Sequence, residues 1–200
     1  MIDPRPVTLE SNGVRLEPLE RAHAAALRDA AADGEVWKLW YVAVSGLAPG
    51  REQKYVDEAL EGQRRGDMIP WVVRELTTGA IVGSTRYGHI VRDIGRVEIG
   101  YTFYARSWQR THVNSTCKLL LLEHAFDTLG CTVVGFRVDN LNETSQIAVE
   151  ALGAKKDGVI RRFEVRADGS PRDTHVYSII AEEWPAVRRR LEERLHRHRS

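Results

Sequence analysis

The chain has 200 residues, 42% of them apolar and 28% charged, and a formal net charge of +1. This composition is ordinary for a globular protein, and the near-zero charge gives no overall field that would favour nucleic acid or acidic membranes. Cys117 and Cys131 are the only cysteines, which predicts reduced thiols in a cytoplasm and not a disulfide scaffold. No apolar run reaches membrane-spanning length, and the first residues lack the apolar core of a signal peptide. We therefore expect a cytoplasmic protein of one domain, with a core over about 14–181 and a last helix over about 183–198.

The first half of the chain alternates between helical and strand patterns. In chain order it predicts a strand at 14–17, helices at about 19–32 and 51–65, and strands at 69–75, 80–90 and 96–104. The third of these last strands alternates in polarity. One face is predicted to carry Val97, Ile99, Tyr101 and Phe103, and the other Glu98, Gly100, Thr102 and Tyr104.

The second half predicts a strongly apolar helix at about 113–129, a buried strand at 132–138, a short helix at 143–152, hairpin strands at 159–166 and 174–180, and a last helix from Trp184. That last helix has one apolar stripe, formed by Trp184, Val187, Leu191 and Leu195. The stripe is predicted to dock either on the domain or on a second subunit, so a homodimer is possible. Antiparallel strands that lead into a strand–helix–strand crossover predict a mixed α/β (α+β) sheet with helices on its faces.

The loop at 107–114 joins the alternating strand to the apolar helix. In that position, successive backbone N–H groups and a helix N-terminus converge, which suits a phosphate group. A simple strand-to-helix connection is the alternative. The downstream Asn142 and Ser145 favour the phosphate interpretation, as a motif weighed in its context.

These motifs resemble the GNAT N-acetyltransferase superfamily, and most closely its RimJ/RimL-like ribosomal-protein acetyltransferases. The family pattern Gln/Arg-x-x-Gly-x-Gly/Ala falls on 109–114, "Ala-Phe…Leu-Gly" on 125–130, and "Asn-x-x-Ser…Leu-Gly" on 142–153. The resemblance implies a mostly antiparallel central sheet with a splayed strand pair that holds acetyl-CoA. It implies cofactor contacts from Tyr101, Thr102, Phe103, Gln109, Arg110, Thr111, His112, Val113, Asn114, Ser115, Asn142 and Ser145. The chain departs from the family pattern at three positions. His112 and Asn114 replace the two loop glycines, and Val149 replaces the tyrosine general acid.

Glu98 and Ser145 are the candidate catalytic residues. An amine must be neutral to attack a thioester, so a carboxylate that accepts its proton assists the reaction. Glu98 is the candidate base; its alternative is a solvated strand carboxylate paired with Arg86 or Arg96. The resemblance gives Ser145 the role of protonating the leaving thiolate; its alternative is an ordinary helix-start serine. Asn142 suits an amide of the pantetheine arm, a helix N-cap, or both.

The acceptor pocket is predicted to involve Trp37, Trp40, Tyr41, Arg86 and Tyr87, although aromatic residues lie more often in cores. The sequence has no metal-ligand pattern such as His-Glu-x-x-His, and the arginines at 188–190 precede glutamates at helical pairing distance, which favours a solvated face over a nucleic-acid site. The predicted function is acetyl transfer from acetyl-CoA to a primary amine, either a protein N-terminus or a small molecule. The alternative is a non-catalytic CoA-binding module of the same fold.

Overall fold

The structure is a computed structural model that describes residues 1–39 and 43–199, without the side chains at 43, 198 and 199. Its strands are β1 (Leu9–Ser11), β2 (Val14–Pro18), β3 (Ile69–Glu75), β4 (Ile81–Val91), β5 (Arg96–Tyr104), β6 (Val133–Asp139), β7 (Lys155–Val165) and β8 (Pro171–Ile180). Its helices are α1 (Ala24–Ala32), α2 (Glu52–Arg65), α3 (His112–Glu123), α4 (Glu143–Leu152) and α5 (Trp184–Arg199).

The eight strands form one sheet in the order β1-β2-β3-β4-β5-β6-β8-β7. All neighbours pair antiparallel except β5 and β6, which are parallel and are joined by α3. Apolar residues of α3, α4 and α5 pack on one face, and those of α1 and α2 on the other. The predicted mixed, mostly antiparallel sheet with helices on both faces is confirmed.

Most predicted elements are present, and three details differ. The short strand β1 was not predicted, and β7 begins at Lys155, four residues before its predicted start. The helix predicted at 113–129 is α-helical only to Glu123 and continues as a π-helix over His124–Thr128. There the N–H of Leu129 bonds to the carbonyl of His124, five residues back, which widens the last turns.

The apolar stripe of α5 packs within this chain. Trp184, Val187, Leu191 and Leu195 are all buried in the larger core cluster. The Trp184 ring stacks on Phe126 at 5.6 Å between centroids, and its indole N–H donates to Asp127 at 2.9 Å. The stripe is therefore used inside the molecule, and it gives no argument for a dimer.

A β-bulge in β5 makes the predicted face assignment wrong beyond Gly100. Gly100 pairs with Arg86 and Phe103 with Ser84, so β5 has one residue more than β4 between these pairs. Tyr101 has a φ of 51°, which accommodates the extra residue. The alternation inverts as a result, and Phe103 packs on the α1/α2 side while Tyr104 joins the α3 side.

Candidate active site

The strands β5 and β6 form a V-shaped cleft. They pair only where Arg96, Val97 and Glu98 lie opposite Val133, Val134 and Gly135. Beyond that point β5 continues to Tyr104 and β6 to Asp139 without pairing with each other. The peptide groups on these two facing edges have no strand partner, so a linear ligand that carries amides can hydrogen-bond to them.

Glu98 lies at the vertex of the cleft and is 5% exposed. Arg96 Nη2 lies 3.2 Å from its Oε1, and Arg137 Nε lies 2.9 Å from its Oε2. The ion pair with Arg96 is one of the two that the sequence suggested, whereas Arg137, on β6, was not anticipated. Gly135 makes room for this carboxylate, because a Cβ there would lie 3.0 Å from Glu98 Cγ. Each carboxylate oxygen has a second lone pair, so a water molecule can still hydrogen-bond to Glu98.

The loop at 109–111 ends at a capped helix N-terminus. Thr111 is the N-cap of α3: its Oγ1 accepts from the Val113 N–H at 3.3 Å and donates to the Trp108 carbonyl at 2.8 Å. The N–H groups of the other first-turn residues, at 112 and 114, have no partner within the helix by its geometry, whereas the N–H at 115 faces the Thr111 carbonyl. Together with the positive end of the helix dipole, they form an anion-binding arrangement.

The two missing loop glycines cause no backbone strain. His112 and Asn114 both lie in the first turn of α3, and neither has a positive φ. The left-handed residue of this loop is Arg110, at φ 63°. Replacing glycine at 112 and 114 therefore adds side-chain bulk near the loop but demands no unusual backbone conformation.

A polar chain connects α3 to the bulged strand. Lys118 Nζ lies 3.5 Å from Thr102 Oγ1, which lies 2.8 Å from Thr85 Oγ1 on β4. Burial lowers the pKa of Lys118 to about 8. Gln109 holds the other end of β5, because its side-chain amide donates to the Tyr104 carbonyl at 3.1 Å. The sequence did not point to Lys118, because it is a single lysine among the apolar residues that predict this helix.

The first turn of α4 lies beyond the end of β6. Asn142 is its N-cap, and the side-chain oxygen accepts from the Ser145 N–H at 3.1 Å. Ser145 is half-buried, whereas Val149 packs in the core. The preceding loop is anchored by Asp139, which Arg166 contacts through two bonds of 2.7 and 2.9 Å. Burial alone would raise the pKa of Asp139, but the hydrogen bonds from Arg166 and the Leu141 N–H outweigh it and lower the pKa.

The predicted acceptor residues do not all meet. Trp37 is half-buried against the α1/α2 cluster, and Trp40 and Tyr41 lie outside the described residues. Arg86 faces α2, between the rings of Tyr55 and Tyr101. Tyr87 points to the opposite face, is fully buried, and donates its hydroxyl to the Leu121 carbonyl on α3. Tyr87 is thus a core residue, separated from Arg86 by the sheet.

Two further observations concern the described part of the chain. It has no group of three or more His, Cys, Asp or Glu side chains placed to hold a metal ion. Over the same residues, no helix is both long enough and apolar enough to cross a bilayer.

Comparison with known proteins identifies the family. Residues 14–155 match the family model of the acetyltransferase (GNAT) domain, so the chain belongs to the GNAT acetyltransferases. The chain is similar to the uncharacterized N-acetyltransferase p20 of Bacillus licheniformis, with 26% identity over 88% of this chain and 98% of that protein. A crystal structure of a candidate acetyltransferase from T. thermophilus shares 34% identity and a TM-score of 0.84, covering 97% of this chain and all of that one.

The fold likeness extends to Mycobacterium smegmatis RimJ, whose structure contains a CoA-disulfide. That structure has a TM-score of 0.79 at 21% identity, covering 94% of each chain. The predicted family and activity class are confirmed: the protein is an N-acetyltransferase, and acetyl-CoA is its acetyl donor. The cleft fits this donor, because it combines open strand edges for the pantetheine amides with a helix N-terminus whose N–H groups at 112 and 114 lack partners within the helix.

Proposed function

We propose that the protein transfers the acetyl group of acetyl-CoA to a primary amine by direct attack within a ternary complex. The observation that carries this proposal is the separation of β5 from β6 beyond Glu98 and Gly135. It leaves an open slot with the bulge at Tyr101 on one side and the first turns of α3 and α4 at its mouth. Both substrates then meet at the bulge, where no peptide partner from β6 intervenes.

In this proposal the diphosphate binds at residues 109–115. The N–H groups of His112 and Asn114 and the guanidinium of the exposed Arg110 are the donors. The pantetheine arm runs along the free edge of β5 from Phe103 to Tyr101. Asn142 adds one donor there, because its oxygen is engaged in the cap while its side-chain N–H groups remain available.

The chemical step is an acyl transfer. The neutral amine attacks the thioester carbon, a C–N bond forms, and the C–S bond breaks. We assign Glu98 to accept the amine proton through a bound water, since Arg96 and Arg137 occupy one site on each of its oxygens. We assign Ser145 to give a proton to the departing thiolate, because Val149 offers no hydroxyl.

The test of this function is acetyl-CoA turnover with a panel of amines. Turnover is monitored by the release of the CoA thiol, and the products are identified by mass spectrometry. Glu98→Gln and Ser145→Ala are the catalytic variants, and acetyl-CoA affinity is measured for each. Turnover that falls in both variants at unchanged affinity supports the assignments. Tight acetyl-CoA binding with no turnover on any amine would favour the non-catalytic alternative.

The acceptor, the cellular location and the oligomeric state are proposed only as classes. An acceptor that is a small molecule or a peptide N-terminus suits the α1/α2 face, and Trp37 is the one predicted acceptor aromatic with a described position there. We propose a cytoplasmic location, and we propose no nucleic-acid or membrane partner. A homodimer is left without structural support, because the α5 stripe is buried within the chain.

A further inference from the structure

Arg86 is an almost completely buried cation on the acceptor side of the sheet. It is 4% exposed, and its guanidinium lies between two aromatic rings. Its Cζ lies 4.5 Å from the Tyr55 ring centroid on α2 and 4.7 Å from that of Tyr101 in the bulge. These cation–π contacts stabilise the positive charge but give the guanidinium N–H groups no hydrogen-bond acceptor. The N–H groups at its edge still need acceptors.

Those edge donors are only partly satisfied. Nη1 donates to the thioether sulfur of Met68 at 3.4 Å, which is a weak acceptor. Nε and Nη2 are buried and have no hydrogen-bond partner in the described part of the chain. Burying a charged donor without an acceptor is costly, so this edge favours the binding of a ligand that brings acceptor atoms.

The two free donors are on the same edge of the guanidinium. Nε–H and one Nη2–H run parallel, which is the fork that matches the two oxygens of a carboxylate. Because Arg86 is buried and contacts the rings of Tyr55 and Tyr101, the movement of the fork is restricted before any ligand binds. A neutral amine or a polyamine has no group that satisfies it.

The fork also lies beside the reaction centre. Arg86 is the cross-strand partner of Gly100, the residue just before the bulge that we assign to the thioester. Paired residues in an antiparallel sheet have Cα atoms about 4.5–5.5 Å apart. The guanidinium itself lies 4.7 Å from the ring of Tyr101, so a carboxylate bound to Arg86 would lie near an amine that approaches the bulge.

We propose that the acceptor is a free amino acid, whose carboxylate binds the Nε/Nη2 edge of Arg86 while its amine faces the thioester. This inference rests on the proposed function and names its substrate class. One internal arrangement competes with it. Glu52, one helical turn before Tyr55, also has a buried oxygen without a partner, and a rearrangement that pairs it with Arg86 would leave nothing for a substrate.

The first experiment compares amino acids with their amides as acceptors. The amide has the less basic amine and is intrinsically the better nucleophile at neutral pH, so a preference for the acid must come from the protein. We expect kcat/KM to favour the acid of the best pair by roughly 10- to 100-fold, as for a hydrogen bond to a charged group. In Arg86→Met, whose side chain can still pack between the rings, the preference for the acid should fall below about threefold. The loss should come from a higher KM for the acid. Arg64→Met, which removes an equal charge from the exposed surface of α2, keeps the full preference.

A second readout does not depend on turnover. Ligand-observed NMR with the twenty N-acetyl amino acids and their amides, in the presence of CoA, measures the same preference at equilibrium. Binding of at least one acid over its amide that disappears in Arg86→Met supports the inference, even if no amine is acetylated and the proposed function fails. Equal binding of acid and amide, binding of none of the forty ligands, or a preference that survives in Arg86→Met would overturn it.

Discussion

Replacing Lys118 with methionine should stabilise the protein at neutral pH. Lys118 Nζ lies against Thr102, and burial lowers its pKa from the ordinary 10.5 to about 8. The charged amine is therefore less stable in the folded chain than in the unfolded chain. Methionine has a similar length and no charge to desolvate, so it fills the same space between α3 and β5.

The magnitude follows from the difference between the two pKa values. A shift of about 2.5 units corresponds to about 3 kcal/mol. This is an upper limit for the gain in unfolding free energy, because the residue is only half-buried and the variant loses the contact with Thr102. We expect Lys118→Met to be more stable by about 1–3 kcal/mol at pH 7, or roughly 2–10 °C in Tm for a chain of this size.

The pH dependence gives the sharper test. Below pH 8 both states hold the proton and the full cost of Lys118 is present. Between pH 8 and 10.5 the unfolded state binds more protons than the folded state, so the wild type gains stability as pH rises. The advantage of Lys118→Met should shrink across that window.

The assay is urea unfolding of both proteins from pH 7 to 10.5, with Lys54→Met as the control because Lys54 is exposed on α2. The difference between wild type and Lys118→Met cancels the titration of the other lysines and tyrosines. A difference that stays constant with pH, or a variant that is less stable at pH 7, would refute the idea that this amine is held in an unfavourable environment.

The remaining predictions concern the catalytic pair, the diphosphate loop and an acidic turn. Glu98→Gln should lower kcat by about 100-fold with little change in acetyl-CoA affinity; kinetics from pH 6 to 9 check this, and an unaltered profile would remove Glu98 from the mechanism. His112→Gly tests the side chain at the first residue of α3 by calorimetry: tighter acetyl-CoA binding means that the imidazole crowds the diphosphate, and weaker binding means that it donates to it. Glu75 accepts hydrogen bonds from Thr77 and Thr78 that overcome the effect of burial and lower its pKa to about 2. The stabilisation by ionised Glu75 is fully present above pH 4.5 and is lost as the pH falls through 2, so Glu75→Gln should cost up to about 3 kcal/mol at pH 7 and little near pH 2. A difference in unfolding free energy between the two proteins that stays constant from pH 7 to 2 would contradict this.

The sequence predicted the architecture well because local patterns determine it. The strand at 96–104, the helix at 143–152 and the apolar run of α3 appear almost as their periodicities require. The bulge at Tyr101 was not predictable, since tyrosine carries no preference for a positive φ. One inserted residue then reversed the faces of Phe103 and Tyr104, because side chains in a strand alternate with a period of two.

Site residues were harder to predict because their partners are distant in the chain. Arg137 reaches Glu98 from the next strand of the sheet, and Arg86 meets Tyr55 from α2. The aromatic character of Tyr87 suggests an acceptor residue, but adjacent residues of a strand point to opposite faces, so Tyr87 and Arg86 cannot line the same pocket. The sequence also could not determine what the apolar stripe of α5 packs against, because the same stripe is expected whether the helix covers its own sheet or a second subunit.

The most direct test of the central claim is calorimetric titration of acetyl-CoA into the wild type and Asn114→Asp. Asn114 is the third residue of α3, a position where the helix dipole stabilises a carboxylate. This isosteric change should therefore leave Tm equal or higher. A negative charge about 6 Å from a bound diphosphate opposes it by roughly 1.4 kcal/mol per phosphate charge at an effective dielectric constant of about 40.

We predict micromolar binding by the wild type and binding at least tenfold weaker by Asn114→Asp. Gln53→Glu, which places the same charge in the first turn of α2, should bind like the wild type. Equal affinity of all three proteins would contradict the placement of the diphosphate at the N-terminus of α3.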